Sequence, residues 1–233
     1  MDVWDSHALL WSDTTAELFH VVETGHRLVS SLPCFGCKYY ALHQSYIFKV
    51  QGLTIEVLDL QGTLRHRLEL SERQGRAVAL DVCLDFFLVG TENSFFQMWK
   101  LEDDFNNSWL PGFGRKIASV EKGVCNTGAL MCNYNGTKVS FIAKSEGDNL
   151  ESVLYIYDTV FDRFSQHDFR LEGKFLVSLA WDSEDFQQLA CGLTSLDASE
   201  TNKITEIVTY FVDPELRLIK QDKVTHSSIF STN

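Results

Sequence analysis

One pattern recurs along this chain and restricts what it can fold into: alternating apolar residues, a polar or acidic residue, a turn, and another apolar stretch. It reads LFHVVETGHRL at 18–28, IEVLDLQGTLR at 55–65 and FFQMWKLEDDF at 95–105, then LYIYDTVFDRF at 154–164 and IVTYFVDPELR at 207–217. Alternation with a period of two marks a strand with one face turned to a core. Self-similarity at a recurring spacing marks a repeat architecture. Gly25 aligns with Gly62 at an offset of 37 and Asp59 with Lys100 at 41; Lys100 then aligns with Asp158 at 58 and Asp158 with Val212 at 54. The first two offsets approach the roughly 40–45 residues of a four-stranded WD-type blade.

A second apolar run containing a turn precedes four of the copies: YYALHQSYIFKV (39–50), VALDVCLDFFLVGT (78–91), GALMCNYNGTKVSFIA (128–143) and SLAWDSEDFQQLACGL (178–193). Each reads as two short strands joined tightly, with Asn135-Gly136 and Asp182-Ser183-Glu184-Asp185 supplying turn chemistry. VWDSHALLW (3–11) resembles the same element and is expected to open the first unit in mid-blade. A fourth strand is drawn from the segments between units: RLVSSL (27–32), KIASVE (116–121) and KFLVSL (174–179), the last overlapping the next strand. Seventeen Phe, seven Tyr and five Trp against three Pro favour strands throughout.

The expected fold is therefore all-β, a WD-repeat-like β-propeller region of about five four-stranded blades that does not complete a ring. Its blades fall approximately at 1–30, 31–70, 71–115, 116–170 and 171–220, with 221–233 as a tail. An immunoglobulin-like sandwich has about seven strands, too few for this pattern. The longer offsets have a visible cause in two polar insertions, KSEGDNLES (144–152) and TSLDASETNK (194–203). Both link the same pair of strands in adjacent blades and so are expected to project from one face. Open edges at either end are expected to make the isolated chain oligomeric or poorly soluble.

Charge narrows the partners. Asp and Glu outnumber Lys and Arg by 32 to 20, a net charge of −12. Nucleic-acid binders neutralise phosphates with clustered cations, so a nucleic-acid role is disfavoured. The same charge steers the chain toward basic protein surfaces. No apolar run approaches the roughly 18 residues needed to span a bilayer, and the first residues lack a secretory signal pattern. Direct membrane insertion is not expected. Cys83, Cys132 and Cys191 sit inside apolar runs, as thiols of a reducing compartment do.

Signals of chemistry are sparse. Cys34-Phe35-Gly36-Cys37 is a C-x-x-C, but Cys125 and Cys132 are too far apart to supply a second metal-binding pair. The seven histidines occur singly, and Glu102-Asp103-Asp104 follows directly on a strand and reads as a turn. No nucleophile elbow or Walker-type loop is present. Neither an enzyme nor a cofactor or metal is expected. Trp99 and Trp181 sit in repeat columns and are expected to pack between blades, whereas Trp109 lies in the loop NNSWLPGFG (106–114). Because loops on rigid scaffolds carry function, the candidate protein contacts are Glu146, Asp148, Glu151, Asp197 and Glu200 of the two insertions, with Trp109.

The order of segments carries a resemblance. VALDVCLDFFLVGTENSFFQMWKL (78–101), WLPGFGRKIASVEKGVCNTGALMCNYNGTKVSFIA (109–143), LYIYD (154–158) and AWDSEDFQQLACGL (180–193) resemble the second propeller of the intraflagellar transport protein 140 family. The resemblance spans at least 78–220 and implies a non-catalytic scaffold of a ciliary retrograde-transport complex, complex A. It implies other subunits of that complex as partners and a cytoplasmic, ciliary location at axoneme and basal body. Members of the family are longer, with two propellers and a helical-repeat tail, so this chain is expected to correspond to a part of one. A propeller of a vesicle coat or adaptor is the competing binding role, and a propeller enzyme the third.

Overall fold

A computed structural model describes residues 2–4, 6–34, 37, 39–43, 46–83, 86–93, 95–101, 114–119, 124–144, 152–169, 173–196 and 203–228. Alternating sequence there becomes twenty strands in five antiparallel sheets of four. The first holds β1 (Asp2–Trp4), β2 (His7–Trp11), β3 (Thr15–Val22) and β4 (Gly25–Pro33). The second holds β5 (Tyr39–Leu42), β6 (Tyr46–Gln51), β7 (Thr54–Asp59) and β8 (Leu64–Glu69). The third holds β9 (Ala77–Cys83), β10 (Phe86–Thr91), β11 (Phe95–Lys100) and β12 (Gly114–Ser119). The fourth holds β13 (Val124–Cys132), β14 (Lys138–Lys144), β15 (Ser152–Asp158) and β16 (Arg163–Asp168). The fifth holds β17 (Phe175–Trp181), β18 (Gln188–Leu196), β19 (Lys203–Val212) and β20 (Leu218–Ser228).

Strand order in every sheet is sequence order, the meander of a propeller blade. The repeated segments 55–60, 95–101, 154–158 and 207–212 occupy the third strand of their sheets, as the column pattern predicts. First strands meet in chain order, β1 on β5, β5 on β9, β9 on β13 and β13 on β17, and so line the axis. The sheets do not close on one another: the ring is open.

Period-two alternation lets each sheet feed two cores. In the third sheet Phe87 and Val89 face the second sheet, meeting Phe48 and Val57, while Leu88 and Phe96 face Val139 and Phe141 of the fourth. Four such cores lie between the five sheets. Phe87 is fully buried, stacked on Phe48 at 4.1 Å and on Trp99 at 5.4 Å. Trp99 thus packs between blades as expected. The arc ends in two faces with apolar residues left exposed, Val3, Leu10 and Leu28 on the first sheet and Val177, Ile207 and Ile219 on the fifth.

Buried aspartates turn the third strand into the fourth. Asp59 Oδ1 accepts from the backbone N–H of Gln61 and Thr63, and Asp213 Oδ1 from those of Glu215 and Arg217. Asp158 does the same for Val160 and Phe161. Each satisfies turn donors that have no ladder partner. An arginine just beyond completes each turn: Arg65 on Asp59 at 2.7 Å, Arg163 on Asp158 at 3.6 Å and Arg217 on Asp213 at 2.7 Å.

The structure differs from expectation at four points. The fourth strand of the fourth sheet is β16, directly after the Asp158 turn, so KFLVSL belongs to the first strand β17 and not to a fourth strand. In the fifth repeat the turn-capping residue is Asp213, one position beyond the aligned Val212. Residues 221–228, expected as a tail, continue β20, and β1 gives the first unit all four strands rather than a start in mid-blade.

Two outcomes follow from this packing. Phe87→Ala is expected to cost about 3–5 kcal/mol, and Val160→Ala, at an exposed turn position, no more than about 0.5 kcal/mol; equal urea midpoints would refute the two-core account. Burial raises the Asp59 carboxyl, but the Thr63 N–H and Arg65 outweigh it and leave it below the ordinary carboxylate value. At Asp213 desolvation is likewise outweighed by Arg217 and the turn amides. A depressed folded pKa contributes stability that is full above the unfolded value, about 3.9, and is lost as pH falls through the folded one. The double variant Asp59→Asn/Asp213→Asn is therefore expected to be less stable than wild type near neutrality and to converge with it in acid, read from thermal midpoints across a pH series.

Candidate protein-interaction site

The first strands of the last three sheets end side by side, β9 at Cys83, β13 at Cys132 and β17 at Trp181. Between them lies a cavity of about 310 Å³, lined by Asp81, Cys83, Met131, Tyr134, Trp181 and Asp182 among others. By register the residue of the second sheet equivalent to Cys132 is Leu42, fully packed into the first inter-sheet core, and that of the third sheet is Val82. Cys132 hydrogen-bonds the Cys83 thiol and is buried, and both effects hold its thiol neutral, Asp81 adding to them.

The walls are fixed from behind. The Trp181 indole N–H donates to Ser140 Oγ at 2.9 Å, tying the fifth sheet to the fourth. Tyr134 meets Phe186 edge to face, with ring centroids 6.2 Å apart. Asn133, with no exposed surface, donates to the Phe186 carbonyl at 2.8 Å and accepts from the Lys138 N–H at 3.0 Å. At Gly136 the backbone is left-handed (φ 68°), and a Cβ there would overlap the Phe86 ring of the third sheet. Three sheets thus lock around one hairpin. Asp182 accepts from the N–H of Glu184 and of Asp185, which hold its carboxyl below the usual range. It remains a carboxylate at neutral pH.

Of the lining thiols, Cys132 is the buried one and is held neutral. Among the described residues no group of three or more His, Cys, Asp or Glu is placed to hold a metal ion. Cys34 and Cys37 are both buried between the first two sheets, where the Tyr40 hydroxyl donates to Cys34 Sγ at 3.0 Å and the Cys34 thiol to the Ser12 carbonyl at 3.1 Å. Burial pushes the Cys37 thiol up. No helix among the described residues is long and apolar enough to cross a membrane.

Glu146, Asp148, Glu151, Asp197, Glu200 and Trp109 all lie outside the described residues. The strands flanking the two insertions are described: β14 ends at Lys144 and β15 starts at Ser152, β18 ends at Leu196 and β19 starts at Lys203. Both insertions therefore join second to third strand. Those strand ends lie opposite the cavity, which sits where first strand turns into second. Trp181, expected in the core, packs against the fourth–fifth core and also lines the cavity. The position that holds Leu42 in the second sheet holds Val82 in the third and Cys132 in the fourth, so the lining residues share no single repeat column that the sequence could have shown.

An open arc of four-stranded meanders, with a cavity at its axis, defines a WD-repeat-like β-propeller interaction module. Solved structures agree on the fold. Sqt1 of Saccharomyces cerevisiae has a TM-score of 0.57 at 11% identity, covering 94% of this chain and 70% of that one. Sqt1 of Chaetomium thermophilum, bound to the N-terminus of the ribosomal protein L10, has a TM-score of 0.59 at 12% identity, covering 90% of this chain and 56% of that one. The chain belongs to the family described as IFT140 second beta-propeller, which it matches over residues 2–174.

Asn133→Ala removes the clasp between the two hairpins and leaves the Phe186 carbonyl and Lys138 N–H without their partner. The expected loss is about 1–3 kcal/mol per stranded group, seen in urea unfolding. A midpoint equal to wild type would show that the hairpins hold without it.

Proposed function

We propose that this chain is a non-catalytic protein-interaction scaffold of the ciliary intraflagellar transport complex A, acting in retrograde transport and cilium assembly. The observation that carries the reading is the match to the IFT140 second beta-propeller family over residues 2–174. The geometry supports it: rigid walls suit a surface that holds a partner. The partners are other subunits of the same complex, and the location is cytoplasmic, at the axoneme and basal body. Glu146, Asp148, Glu151, Asp197 and Glu200, with Trp109, are a second candidate contact, an acidic surface for a basic partner.

The protein tagged at its own locus in ciliated cells tests this. It is expected at the basal body and along the axoneme, co-precipitating with complex A subunits. Co-precipitation with vesicle-coat subunits and no ciliary signal would overturn the reading. Replacing 144–152 and 194–203 with short Gly-Ser turns is expected to reduce co-precipitation; an unchanged yield removes those loops from the contact.

A further inference from the structure

We propose that the axial cavity seats one arginine side chain of an extended peptide from a partner protein. The inference rests on the reading of the chain as a protein-interaction module and names the chemistry that one of its surfaces recognises. Size comes first. About 310 Å³ lies at the lower limit of ligand pockets, roughly 300–1,000 Å³, which suits a long side chain and the backbone beside it.

Charge selects a cation. Asp81 and Asp182 both line the cavity, and no Lys, Arg or His does so among the described residues. Asp182 accepts two backbone N–H groups through Oδ1 alone, so its other oxygen faces no bond of the turn. An apolar side chain would strip water from the two carboxylates and return no hydrogen bond. The net charge of −12 draws cationic segments toward the chain as a whole.

The walls select arginine over lysine. Trp181 and Tyr134 present ring surface, each pinned by a contact behind it, to Ser140 and to Phe186. A planar guanidinium stacks on such surfaces and forks to carboxylates, and it gives up hydration more readily than a compact ammonium. Met131 adds a polarisable thioether to the wall. Because the indole and phenol rings are held in place, little conformational freedom is lost when the side chain enters.

The test is a random heptapeptide library panned against the whole chain, followed by titration of the consensus peptide. Arginine is expected at one fixed position. Exchanging it for citrulline, the neutral isostere, is expected to weaken binding at least about tenfold, and exchange for lysine by a smaller factor. Asp81→Asn/Asp182→Asn, in which the amide oxygen at position 182 still caps its turn, is expected to weaken the arginine peptide likewise but leave the citrulline peptide unchanged. The Trp181 indole N–H resonance is expected to shift on titration with the arginine peptide, a readout that needs no variant. No enriched peptide, enrichment without arginine, lysine binding as well as arginine, or an unmoved Trp181 resonance each overturns the inference. Equal capture of complex A subunits by wild type and the double variant, with no arginine dependence, sinks this inference and leaves the scaffold reading standing. Arginine binding without ciliary location does the reverse.

Discussion

A sheet whose two faces are both apolar has to be covered twice, and every other feature of this chain follows from how that is done. The third sheet shows the constraint most plainly. Phe87 and Val89 point one way and Leu88 and Phe96 the other, so the sheet is the shared wall of two cores. Burying one such side chain contributes about 1.5–3 kcal/mol, and the Phe48–Phe87–Trp99 stack adds ring contacts of about 0.5–1.5 kcal/mol each. A four-stranded sheet with one covered face keeps only half of this. Radial stacking around inner first strands supplies the second cover, and the exposed apolar residues of the first and fifth sheets mark where it stops.

The inter-sheet contacts that complete the cores also build the site. Phe86 of the third sheet rests on the Gly136 turn of the fourth. Asn133 of that turn bonds Phe186 of the fifth, while at the periphery His167 bonds the Leu216 carbonyl and Arg163 the Pro214 carbonyl. Each bond satisfies a backbone group that the strand ladders leave unpaired. Tyr134 and Trp181 are therefore positioned by the same hydrogen bonds that set one blade against the next, and a change that loosens blade packing reaches the cavity directly.

Legibility divides along the same line. Third strands can be read from the sequence because one face of each, Ile55 and Val57 or Leu154 and Ile156, must be apolar at every second position. The hairpins of first and second strands can be read because Asn135-Gly136 and Asp182 have few other uses. The fourth strands divide: RLVSSL falls in β4 and KIASVE overlaps β12, whereas β8 reads LRHRLE and β16 RFSQHD, outer strands whose exposure relaxes the pattern. KFLVSL is the more apolar segment and draws the assignment away from β16. The cavity leaves no periodic trace, since its lining residues Val82, Cys83 and Cys132 do not share one repeat position. Trp181 carries a signal for burial and no signal for the part of it that lines the cavity.

Antiparallel order separates the two candidate surfaces by the length of a strand. First-to-second turns gather at one end of the sheets, with the cavity, joined in the second, fourth and fifth sheets by the aspartate-capped third-to-fourth turns. Second-to-third connections, including both acidic insertions, leave from the other end, at Lys144 and Leu196. The fourth sheet's second strand, seven residues long, spans over 20 Å at about 3.4 Å per residue, more than two Debye lengths of about 8 Å at physiological ionic strength. Charges on one end are thus screened from the other, and the two surfaces act electrostatically as separate sites. A compact partner cannot reach both ends of one sheet without wrapping its edge. On the two proposals made above, one partner is held at the axis by contact chemistry and another is drawn to the opposite rim by charge, with the blades between them transmitting position and not charge.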